Sequence, residues 1–118
     1  EQRILSAPSC IQSIPAAADQ EDFVSMGMNA ALKTRQILDN ANSILAIEMI
    51  AAAQAVDFRH FCVGKGTRAA HAAIRKVVKH LDEDRPLFID HNAMAESVRK
   101  CEVLDAVHKE IGELKNSW

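Results

Sequence analysis

Ile44-Leu45-Ala46-Ile47-Glu48-Met49-Ile50-Ala51-Ala52-Ala53-Gln54-Ala55-Val56 carries Glu48 and Gln54 as its only polar side chains. A helix on a protein surface keeps a polar face, whereas one that is apolar almost all round is buried on all sides. The run is too short for a membrane span, which needs about 20 apolar residues. Asp39 and Asn40 before it and Asp57 and Arg59 after it also close it off. Its alanines permit neighbouring helices to approach closely. A central place in a helical bundle is therefore the expectation, and a membrane is not.

Working outward, residues 20–60 contain no proline and a single glycine, Gly27, and are dominated by good helix formers. They predict one long helix. At about 1.5 Å per residue it would span on the order of 60 Å, more than a globule of this chain length encloses, so part of it is expected to pack on something outside the chain. Residues 1–19 hold Pro8 and Pro15 and show no helical period, which reads as an extended lead-in. Gly64-Lys65-Gly66 signals a turn, with Thr67 placed to cap a helix over 67–81. Asp82-Glu83-Asp84-Arg85-Pro86 then breaks the chain. Asp90 is placed to open a last helical region over 90–115, where Met94, Val98, Leu104, Val107 and Ile111 fall near helical spacing. The fold class is all-α: a long central bundle helix followed by shorter helices, with no strands.

Composition narrows the function classes. The 118 residues are 48% hydrophobic with a formal net charge of -2, which excludes disorder and gives no positive field to attract a nucleic acid. Cys10, Cys62 and Cys101 are odd in number and widely spaced, pointing to reduced thiols and a cytoplasmic location. No Cys-x-x-Cys occurs, so no structural metal is expected. No basic segment leads into a long apolar one, so no signal peptide is read. The opening Glu1-Gln2-Arg3 reads as part of a larger polypeptide.

Candidate chemistry gathers near the start of the long helix. Asp19 is placed to cap it and Asp22 to complete a capping box, which puts Glu21 in the first turn, where the helix dipole favours an ionised carboxylate. Such a carboxylate suits a cationic or N–H-bearing ligand, although acidic residues in a first turn are ordinarily dipole complements. His71 and His80 are nine apart and would face different directions on one helix, and His60 and Cys62 lack two further ligands nearby. These read as surface or satisfied core histidines. Lys65, Arg68, Arg75, Lys76 and Lys79 make one helix basic without interleaved aromatics, as a solvated face does. Gly64-Lys65-Gly66-Thr67 lacks the spacing of a phosphate loop and follows a helix, so nucleotide binding is rejected.

Ser13-Ile14-Pro15, then Gln20-Glu21-Asp22-Phe23-Val24-Ser25-Met26, then the stretch from Leu45 to Asp57, resembles the C-terminal part of the histidine ammonia-lyases and their aromatic amino acid lyase relatives. Gly64-Lys65-Gly66-Thr67 and Glu83-Asp84-Arg85 extend the resemblance over nearly the whole chain. It implies a larger helical lyase fold and a homotetramer built through the long helix with the remainder of the subunit. It also implies a methylidene-imidazolone prosthetic group made from an internal Ala-Ser-Gly, with a tyrosine as candidate base. This chain has neither an Ala-Ser-Gly nor a Tyr, so alone it is expected to be inactive.

What the resemblance assigns to this segment is Glu21 as the catalytic and substrate-binding carboxylate, with Gln20 beside it as a substrate-binding residue. The phenylalanine and tyrosine enzymes usually have Gln at the position of Glu21. A carboxylate can accept from an imidazole N–H, whereas against a phenyl ring it would be a desolvated, unpaired charge. The implied reaction is deamination of histidine to urocanate and ammonia. Phe23 departs from the His common in histidine lyases, which keeps open a phenylalanine or tyrosine ammonia-lyase or an aminomutase. A non-catalytic helical oligomerisation module is the remaining alternative.

Overall fold

Good helix formers and the absence of any proline let the central stretch run as one helix, α2 (Gly27–Asp57), of 31 residues. Its length is on the order of 45 Å. This computed structural model describes residues 1–11, 13, 14, 16–20, 24–59 and 62–115. Its elements are all helical: a four-residue α1 (Gln2–Leu5), two 3-10 turns (Ser9–Ile11 and Ala17–Asp19), α2, α3 (Lys65–Val77), α4 (Phe88–Arg99) and α5 (Glu102–Ile111). The chain divides into two units, residues 1–41 and 42–118.

In the first unit the lead-in is more ordered than its prolines suggest. α1 and the two 3-10 turns replace the expected extended segment, and polar side chains clip α1 to α2. Gln2 Nε2 donates to the Ile37 carbonyl at 3.2 Å, Gln36 Nε2 to Glu1 Oε1 at 2.5 Å, and Lys33 Nζ to the Ala7 carbonyl. The long helix starts at Gly27 rather than near residue 20, so Asp19, which closes a 3-10 turn, does not cap it.

In the second unit a small apolar core gathers Ala46 and Ala53 from α2, Ile74 and Val78, Met94 and Ala95 from α4, and Val103 from α5. Ala46 and Ala53 are seven residues apart and therefore share one helix face. Gly66 sits where an added Cβ would come within 3.0 Å of Ile111 Cδ1, so its bare backbone lets α3 lie close on α5.

The boundaries of the later helices differ from the sequence reading. α3 starts at Lys65 with Gly64 as its cap, not at Thr67, and ends at Val77, short of residue 81. It stops because the backbone beyond is engaged elsewhere. Val78 is extended and its carbonyl accepts from Arg75 Nη1 at 3.2 Å, while Leu81 bonds Gln54 through both its N–H and its carbonyl. Asp90 lies inside the first turn of α4, where it pairs with Arg85 at 2.6 Å instead of capping. The expected 90–115 region is two helices, broken at Cys101, whose φ of 58° is left-handed, and ended by Gly112 at φ 83°. Across the break the buried Ser97 Oγ donates to Glu102 Oε2 at 2.7 Å.

Cys101→Gly is expected to raise stability by about 1 kcal/mol, because a left-handed conformation costs a residue with a Cβ about 1–2 kcal/mol and glycine almost nothing. Cys101→Val is expected to lower it. Urea unfolding midpoints of the two variants check the pair, and a destabilised glycine variant would show that the break is not strained. Met94→Ala, which empties a fully buried site in the core, is expected to cost about 2–5 kcal/mol in the same measurement.

Candidate functional site

Glu21 lies outside the described residues, together with Asp22 and Phe23. The described residues on either side of it are bonded as follows. Gln20 is exposed and its N–H donates to the Ala17 carbonyl at 3.2 Å. Ala17 (φ 49°) and Ala18 (φ 55°) are both left-handed, a conformation that costs an alanine about 1–2 kcal/mol and persists only where the surroundings impose it. On the far side, the Val24 N–H donates to Ser13 Oγ at 3.1 Å. Ser13 and Val24, which lie on either side of that stretch in the sequence, are therefore bonded to each other.

The second unit holds a polar cluster that the sequence reading did not assemble. Asp57, the last residue of α2, receives three side chains. His71 Nε2 donates to Oδ1 at 2.6 Å, Arg75 Nη2 to Oδ2 at 2.6 Å, and His80 Nδ1 to Oδ2 at 2.8 Å. One turn earlier, Gln54 Oε1 accepts from Arg75 Nη2 and from the Leu81 N–H, each at 3.1 Å. Gln54 Nε2 donates to the Leu81 carbonyl at 3.0 Å and faces His80 Nε2 at 3.2 Å. The hydrogen bond from His80 holds the Asp57 carboxyl well below the usual range, down to about 2, against an opposing push from desolvation; His71 and Arg75 lower it further. Asp57 is thus a fixed anion.

This arrangement corrects the reading of two features. His71 and His80 do converge, because α3 ends at Val77 and His80 lies on an extended strap that turns back toward α2. Arg75 belongs to the Asp57 cluster rather than to a solvated face. The signal available in the sequence was Asp57 itself, a charge closing an apolar helix with a basic helix to follow. Beside the cluster lies a cavity of about 240 Å³ with walls from Ile47, Ile50, Ala51, Val78, Leu81 and Leu87 and with Gln54, Lys79, Arg85, Asp90 and His91 among its lining residues. Among the described residues no three His, Cys, Asp or Glu side chains are arranged to hold a metal ion, and no helix is long and apolar enough to cross a membrane.

A family model described as aromatic amino acid lyase matches residues 1–76. The chain is 51% identical over 108 residues to the histidine ammonia-lyase of Myxococcus xanthus (strain DK1622), covering 91% of this chain and 21% of that protein. It is 46% identical over 115 residues to the histidine ammonia-lyase of Alkaliphilus metalliredigens (strain QYMF), covering 97% of this chain and 23% of that protein. Among solved structures, the tyrosine aminomutase from Streptomyces globisporus superposes with a TM-score of 0.85 at 36% identity over 92% of this chain and 21% of that one. The chain therefore spans about a fifth of the length of the relatives it matches.

Asp57 sets an acid limit on the fold. A carboxyl whose folded value is depressed stabilises fully above its ordinary value of 3.8, and that contribution is lost as pH falls through about 2. Its size is on the order of 2 kcal/mol. Asp57→Asn is expected to remove this acid-dependent part of the unfolding free energy while lowering stability at neutral pH by a similar amount. Urea unfolding across that range checks it, and an unchanged pH profile in the variant would contradict the anchoring role.

Proposed function

The chain belongs to the aromatic amino acid lyase family, and from that premise we propose that it forms the C-terminal part of a histidine ammonia-lyase, whose complete protein converts histidine to urocanate and ammonia. The observation that carries this reading is Glu21 within Gln20-Glu21-Asp22. An ionised carboxylate at that position accepts from an imidazole N–H or pairs with imidazolium, while a phenyl or phenol ring would leave it desolvated without a partner. Identities of 46% and 51% with histidine ammonia-lyases support the same choice of substrate.

In this reading Glu21 binds the imidazole and handles its proton, and Gln20 orders the substrate beside it. The family's methylidene-imidazolone supplies the electrophile that labilises the amine. The residues of this chain do not provide that group, since no Ala-Ser-Gly occurs here, and they include no tyrosine to act as base. Both come from the remainder of the subunit. The long helix is the element through which we infer a homotetramer, because Ile44 and Ile47 in its apolar stretch are more than half exposed. Exposed, unpaired Cys62 and Cys101 suit a reducing cytoplasm.

A second reading, an aromatic amino acid lyase or aminomutase acting on phenylalanine or tyrosine, is favoured by Phe23 and by the likeness to the tyrosine aminomutase. In the complete protein, Glu21→Gln is expected to lower the rate of urocanate formation by about 100-fold or more, the usual loss when a positioned acid-base group is removed. Unchanged turnover on histidine would overturn the role of Glu21. Cinnamate or coumarate formation by the unaltered protein, with no urocanate, would establish the second reading instead.

A further inference from the structure

The cavity beside the Asp57 cluster has a lining that is almost wholly hydrocarbon, although Gln54, Lys79, Arg85, Asp90 and His91 stand around it. Each polar head is engaged elsewhere. Gln54 spends its amide on Arg75 and on both backbone groups of Leu81. Arg85 pairs with Asp90 at 2.6 Å and donates to the His80 carbonyl at 3.4 Å, and His91 Nε2 donates to the Ser43 carbonyl at 3.3 Å. Lys79 is exposed, so its stem lines the wall while its ammonium stays in water. A buried water is held by about two to four polar partners, which such walls do not offer. The occupant that suits this cavity is apolar.

Size and surroundings narrow the choice. A cavity of about 150 Å³ takes a benzene ring, so one of about 240 Å³ has room for a large apolar side chain, aromatic or branched. Leu87, on its wall, is 41% exposed, and Phe88 and Ile89, which follow it into the first turn of α4, are 65% and 66% exposed. Single exposed apolar residues are ordinary, but three in a row beside an apolar cavity mark a contact surface. These three lie off α2, the helix through which the homotetramer is inferred. The relatives also carry about four-fifths of their length outside the stretch that this chain matches.

We propose that the cavity and the corner from Leu87 to Ile89 are the seat of a large apolar side chain from the same polypeptide, outside these 118 residues, which anchors this segment to the remainder of its subunit. The seat rests on the reading above of the chain as part of a longer lyase subunit, but not on which amino acid that subunit deaminates. The second unit supplies the walls and the hydrogen bonds that keep them apolar, and the remainder of the subunit supplies the knob that fills them.

A crystal structure of the complete protein tests the seat. A large apolar side chain of the same subunit, from outside this segment, is expected within about 4.5 Å of Ile50, Leu81 and Leu87. A cavity open to solvent, filled by a second copy or filled by a small molecule would overturn the proposal. In solution, a benzophenone-bearing residue in place of Leu87 in the complete protein is expected, on illumination, to cross-link to peptides from outside residues 1–118. Cross-links confined to residues 1–118, or none, would overturn it as well. The substrate reading fails separately: cinnamate formation in place of urocanate would leave the seat standing, and an open cavity would leave the role of Glu21 standing.

Discussion

The carboxylate of Asp57 is the point on which the second unit depends. It closes the long helix, and its two oxygens gather Arg75 and His71 from α3 and His80 from the strap that follows. The apolar core beside it is small, and among the described residues three of its seven buried hydrophobic side chains are alanines. Burial of so little side-chain surface gives α3 and the strap limited direction, since the hydrophobic effect scales with apolar area and has no preferred geometry. Charge-assisted hydrogen bonds do have one. Gln54, one turn before Asp57, extends the same control to the backbone of Leu81 and so decides where α3 must end.

Along α2 the balance is reversed. Ala46 and Ala53 are its only buried residues, while Met28, Leu32, Leu38, Ile44, Leu45 and Ile47 stand exposed. A helix with this much apolar surface in water is unfavourable by itself, and an amphipathic or all-round apolar helix is stabilised chiefly by what packs on it. The proposed tetramer, and a subunit about five times longer than this chain, supply that packing in the reading given above. Glu21 then belongs to a chain whose chemistry is completed by residues it does not contain.

How far the sequence could be read depended on whether a feature was local. The long helix was legible because composition alone, without proline or clustered glycine, dictates it. Its first residue was not, since Asp19 and Asp22 look like caps while the alanines ahead of them are left-handed and the helix waits until Gly27. The convergence of the histidines is hidden for a related reason. Nine residues apart on one helix they would diverge, but α3 stops at Val77 under the pull of Arg75 and Gln54 on the strap, and that brings both rings to Asp57. The break at Cys101 carries no glycine or proline to announce it, and the local hydrogen bond from Ser97 to Glu102 spans it. Glu21 was legible only through resemblance, because a carboxylate in a first turn is chemically ordinary.

The proposed function requires Glu21 to meet an imidazole. It is tested most directly by a crystal structure of the complete protein with a bound, unreactive histidine analogue. A Glu21 carboxylate oxygen is expected about 2.7–3.0 Å from a ring nitrogen of the ligand. A ligand whose imidazole is held by other groups, with Glu21 turned away from it, would rule out the proposed role of Glu21.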